Sequence, residues 1–211
     1  MGVKTWMLVY SDDNAKEILA SRPSLDRQRT EELLHELYPS SRFEKIEDGD
    51  LFNTCPPNGN IYAGYYDGVF IISANEFAID NPSRLNRSFL KPDLGSTIHL
   101  LAMHSVVDWL AFGYWKNREL ERSFSVSPDS GIIENIGERF PFELPFWNGE
   151  YPAADPEDEY PLDFHPLELG EAALNNFFGY QLEGVIDSAN IDPEDITLVG
   201  YRLVKPWWKF W

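Results

Sequence analysis

A single cysteine, Cys55, in 211 residues excludes an intramolecular disulfide and any cysteine-cluster metal site, and is the usage of a reducing compartment. The four histidines, His35, His99, His104 and His165, form no H-x-H or H-x-x-x-H pair, so local spacing predicts no metal site. Basic residues are scarce, with seventeen Lys and Arg against thirty-five Asp and Glu and a net charge of −18. A surface of that sign repels phosphate backbones and anionic bilayers, so neither nucleic acid nor membrane is an expected partner and a basic protein suits it better. Long apolar runs are also missing. The stretch from Trp6 to Tyr10 is cut off by Ser11, Asp12 and Asp13, well short of a signal-peptide core or a membrane span. The start MGVKTW carries Trp6 where a myristoylation signal needs Ser or Thr, and a cytoplasmic location is expected. There is no G-x-S-x-G elbow, P-loop or G-x-G-x-x-G turn, and no cofactor is implied.

What is present is a core-forming composition, 43% apolar and 15% aromatic, in a chain long enough to bury about 70% of its unfolded surface. One domain over residues 1–211 is expected, with possible lobes at 1–95 and 96–211. The stretch SVVDWLAFGYWKNRELERSFSVS organises it. Leu120, Arg122, Phe124 and Val126 alternate with Ser123, Ser125 and Ser127, which predicts a strand with one buried and one wet face. Residues 106 to 115 are apolar on both faces except for Asp108, which predicts an interior strand. Residues 97 to 104 suit either a helix or a strand. Asp67-Gly68 between two aromatic-rich runs predicts a hairpin with a type I′ turn.

Helices are predicted over 24–38, ended by Pro39, and over about 167–182, with Leu174, Phe177 and Phe178 inward. A short one follows the Ser11–Asn14 cluster. Prolines 141 and 145 predict an extended cover rather than a long helix. The fold class is therefore α+β, a mainly antiparallel sheet with about three helices packed on it. The tail KPWWKFW is too aromatic to leave in water and is expected to dock on the body or to join copies through Trp207, Trp208 and Trp211. Asp155, Glu157, Asp158, Glu159 and Asp163 lack the register of a calcium loop.

The residues that most need explaining are charges among apolar neighbours, because a carboxylate in such surroundings must be paired, bonded or protonated. If the extended segment covers the sheet, Asp108, Arg122, Glu143 and His165 gather around Trp109 and Trp147. Two carboxylates beside an aromatic platform would suit sugar binding or glycoside-type hydrolysis. The bland alternative makes each charge a satisfied structural group at the rim of the core.

The segments MGVKTWMLVY, AMHSVVDW, RSFSVSPDSG, FELPFW and YPLDFHPLELGEAAL resemble those of a bacterial family of unknown function whose members share a G-x-K-T-W start. The resemblance spans nearly the whole chain and implies one shared, cytoplasmic-type architecture; it brings no activity with it. With no catalytic motif and an acidic surface, the expected function is that of a non-enzymatic, immunity-like or regulatory protein engaging a basic partner. A small-ligand binder or hydrolase with the carboxylate and aromatic pocket is the alternative.

Overall fold

A computed structural model of the chain describes residues 2, 4–12, 14–153, 160–184 and 187–204. Its centre is β1 (Lys4–Ser11), buried along almost its whole length. Helices α1 (Ala15–Ala20) and α2 (Arg27–Leu37) follow, capped by the side chains of Asn14 and Asp26, each of which accepts from a backbone N–H of the first turn. Then come β2 (Phe43–Lys45), β3 (Asn60–Tyr66) and β4 (Val69–Ala74), a connector of short 3-10 turns from Asn75 to Leu94, and β5 (Thr97–His104). Strands β6 (Trp109–Lys116), β7 (Glu119–Ser127) and β8 (Gly131–Gly137) form a meander; α3 (Leu144–Trp147), α4 (Pro166–Phe178) and β9 (Val199–Leu203) complete the described elements.

The nine strands make one sheet in the order β2-β9-β3-β4-β1-β5-β6-β7-β8, antiparallel throughout. The α+β reading holds, with four α-helices among the described residues. Both halves of the chain contribute to the sheet, because β5 pairs with β1 along its full length. An antiparallel sheet often leaves one face in water. Here both faces are covered. On the first, Met7, Leu101, Leu110, Phe112 and Phe124 pack under α1, α3 and α4. On the second, Trp6, Leu8, Leu100, Trp109 and Trp115 pack under α2 and the 3-10 connector. Alternating side chains of one strand therefore enter two separate cores.

Several local expectations change. Residues 97 to 104 form a strand, and the residues before Trp109 are not in one: Ser105 to Asp108 are a tight turn, with Val106 and Val107 at 74% and 48% exposure. Asp108 has φ of +45° there, a left-handed conformation that β6 cannot continue. Apolar neighbours on both sides mimicked strand continuity. The serine face of β7 is not wet, since Ser123 and Ser125 are fully buried. Ser123 donates to Glu134, and Ser125 donates to the Asp80 carbonyl at 2.5 Å, so the connector closes over that face. Burial works against the charge on Glu134, yet bonds from Ser123, Ser83 and Asn81 hold its carboxyl below the usual range.

In the β3–β4 hairpin only Gly68 has positive φ, so the turn is not type I′. Both Asn117 and Arg118, between β6 and β7, do have it (+50° and +71°), as a type I′ turn requires. Helix α4 ends at Phe178 rather than 182, because Gly179 at φ +79° gives a left-handed cap. Residues 131 to 137 are an edge strand, and residues 144 to 147 a single helical turn opened by Pro145. Asp155, Glu157, Asp158, Glu159 and the aromatic tail with Trp207, Trp208 and Trp211 lie outside the described residues.

Candidate functional site

The six residues singled out in the sequence fall into separate places. Arg122, on β7, and Glu143, just before α3, meet under the first face in a bidentate ion pair. The Arg122 Nε and Nη2 donate to the two carboxylate oxygens at 2.9 and 2.6 Å, and both side chains are essentially inaccessible. The remaining capacity is also used. Arg122 Nη1 donates to Asn135 Oδ1 and the Ile136 carbonyl at 2.7 and 2.9 Å, and Glu143 accepts from the Phe140 N–H at 2.9 Å. The guanidinium lies 5.3 and 5.7 Å from the ring centres of Phe124 and Phe112. A carboxylate so fully engaged is a structural anchor, tying β7 and β8 to the start of α3.

Asp108 and His165 form the second group. The Asp108 carboxylate accepts from the Tyr160 hydroxyl at 3.3 Å and faces His165 Nε2 at 3.6 Å. Tyr160 stacks on the imidazole with ring centres 5.5 Å apart. His165 Nδ1 accepts the Leu167 N–H at 3.3 Å and so caps α4, which places the ring proton on Nε2, toward Asp108. Burial, and then the Asp108 charge, pushes the Tyr160 hydroxyl up to about 12. With one imidazole nitrogen spent on a helix cap and the other turned to Asp108, this cluster fastens α4 to the Ser105–Asp108 turn.

The two tryptophans do not share a platform. Trp147 packs on the first-face core, under the Arg139 guanidinium at 3.8 Å, while Trp109 belongs to the second-face core. The sheet lies between them. Asp108 and Glu143 accordingly make no joint carboxylate pair: each is bonded to its own partners.

A third place combines Trp109 with residues outside those six. On the second face, where the Ser105–Asp108 turn, the β7–β8 turn and the connector near Asp80 converge, a cleft of about 480 Å³ is lined by Trp6, His104, Val107, Trp109, Asp80 and Asp129 among others. Trp6 stacks on His104, with ring centres 6.1 Å apart and planes 8° apart. His104 is the cross-strand partner of both Lys4 and Trp109; burial, and then the Lys4 charge, lowers its pKa. Trp6 and Trp109 are 8% and 9% exposed. Neither indole Nε1, nor His104 Nδ1, has a hydrogen-bond partner among the described residues. No sequence signal joins them, because Trp6, His104 and Trp109 lie on three different strands, β1, β5 and β6, and each reads first as ordinary core.

A family of unknown function, DUF6928, matches residues 5–201. The chain belongs to the DUF6928 family. No curated protein matches it, and no solved structure does. The DUF6928 match spans every strand of the sheet except the ends of β1 and β9. Among the described residues no group of three or more His, Cys, Asp or Glu could hold a metal ion, and no helix is long and apolar enough to cross a membrane.

Proposed function

We propose that this DUF6928 member is a non-enzymatic binding protein whose acidic surface engages a basic protein, in the manner of a bacterial immunity or regulatory factor. The observation that carries the reading is the net charge of −18. Internal pairing does little to offset it. The ion pairs among the described residues outside the core, such as Arg22–Asp195 at 3.1 Å and Lys45–Glu31 at 2.7 Å, are exposed, and pairs of that kind hold charges weakly. Carboxylates in excess by two to one remain available to a cationic surface.

The hydrolase reading has less support, because acid–base hydrolysis needs two carboxyls facing one substrate. Both oxygens of Glu143 are bonded to Arg122, and Asp108 is bonded elsewhere. The test is purification of the tagged chain from native lysate at low and at high salt, followed by identification of what accompanies it. A stoichiometric basic protein retained at low salt and released at high salt is the expected result. A companion whose retention is indifferent to salt, or a solitary protein at both salts, overturns the reading.

A further inference from the structure

We propose that the cleft between Trp6, His104 and Trp109 is a binding site for a small neutral saccharide. This inference does not rest on the basic-partner reading. It starts from two indole N–H groups and one imidazole nitrogen, each on a ring lining the same cleft and each without a hydrogen-bond partner among the described residues. Buried polar groups are almost always bonded; among the described residues seven such atoms have no partner, and three of them sit on rings that line this one cleft. The indoles ask for acceptors.

The rim asks for the opposite. Asp80 and Asp129 line the cleft, and no cation is paired with either among the described residues. Both are exposed and would accept from the donors of an occupant. An anion would supply acceptors but meets both carboxylates and a strongly acidic protein. A lone ammonium or guanidinium would suit the carboxylates and the ring faces but brings no acceptor for the indole N–H groups, and Lys4 already sits beside His104 in the strand register. A sugar hydroxyl both donates and accepts, and the C–H face of a pyranose packs against a flat aromatic ring. The cleft volume, about 480 Å³, falls within the roughly 300–1,000 Å³ of small-molecule sites.

The indole nitrogens are covered by neighbouring atoms, so a sugar reaches them only if part of the cleft lining shifts, and we assign that shift to the Ser105–Asp108 turn. That turn carries the two exposed valines and the left-handed Asp108, and Val107 itself lines the cleft. Asp108, at its end, is held by Tyr160 and His165, so the shift that a sugar needs falls on the exposed Val106 and Val107.

The experiment is a titration of the ¹⁵N-labelled chain with D-glucose, D-galactose, D-mannose, N-acetyl-D-glucosamine and cellobiose, reading the seven indole N–H signals, with N-acetyl-arginine amide as a cationic control. Trp6→Phe and Trp109→Phe assign the two signals of interest. At least one sugar is expected to shift both of them saturably, and Trp109→Phe is expected to weaken that sugar about tenfold, the loss for one unmade hydrogen bond. Asp80→Asn with Asp129→Asn, at exposed positions that leave the fold alone, is expected to weaken it in the same direction. Should the core variants not fold, the rim variants carry the test. Shifts confined to other tryptophans, no saturable shift with any sugar, or a response only to the arginine amide would each overturn the proposal; the last would assign the cleft to a cationic side chain instead. Failure here leaves the salt test of the partner reading standing.

Discussion

Glu143 stood out in the sequence as a charge between Phe-Pro-Phe and Leu-Pro-Phe-Trp, but its partner lies 21 residues away on β7. The anomaly was legible and its resolution was not, because where the segment before α3 packs on the sheet is set by tertiary contacts. Removing one member of the pair strands a buried charge. Glu143→Ala is therefore expected to lower unfolding free energy by about 3–5 kcal/mol, whereas Arg122→Met with Glu143→Leu should lose much less than the two single changes together. Chemical denaturation measures both. His99 and Glu171 give a pH test with opposite signs. Burial among Tyr114, Phe177 and Phe178 depresses His99 to about 3, so the unfolded chain takes up that proton first. The stability it contributes is complete above about 6.5, the unfolded value, and is lost as pH falls toward 3. Burial raises Glu171 to about 7 against the bonds from the Leu182 and Glu183 amides. Its contribution is complete below the unfolded value near 4.3 and is lost as pH rises through 7. His99→Phe should flatten the acid limb of a stability–pH curve, and Glu171→Gln the limb between about pH 4 and 7. Curves that keep both limbs in these variants would contradict the assignments.

Elements with strong local signals were legible: the buried β1, the alternating β7, the β3–β4 hairpin and the capped α2 all lie where periodicity and turn chemistry put them. The failures share a cause. Val106 and Val107 looked like strand because apolarity does not reveal a left-handed Asp108, and Ser123 and Ser125 looked wet because a connector 40 residues upstream covers them. The type I′ geometry fell at Asn117-Arg118 rather than Asp67-Gly68, because Arg118 takes a positive φ and Asp67 does not, against what residue preference at the two turns suggests. Helix α4 offers a test at this scale. A Cβ on Gly170 would lie 2.1 Å from Met103 Sδ on β5, so the helix rests directly on the sheet at that point. Gly170→Ala is expected to cost about 1–3 kcal/mol despite the better helix propensity of alanine, and shortening Met103 to Ala in the same chain should recover part of it. A neutral or stabilising Gly170→Ala in thermal unfolding would contradict the close approach.

At the scale of the molecule, fold class and charge were legible and the site was not. The composite of Asp108, Arg122, Glu143 and His165 required knowing that Trp109 and Trp147 enter opposite cores, which strand parity alone does not give without the partner strands. The aromatic cleft was invisible because its residues come from β1, β5, β6, two turns and the connector near Asp80. A molecule at −18 also repels itself, so moderate salt should raise its melting temperature while weakening any complex with a basic partner. Those opposed responses separate surface electrostatics from a loss of fold. The most direct test of the central claim is the association rate constant of the co-purified partner measured against ionic strength. The account predicts a steep fall in that rate as salt rises, with dissociation changing far less. A flat association rate across the same range would contradict it.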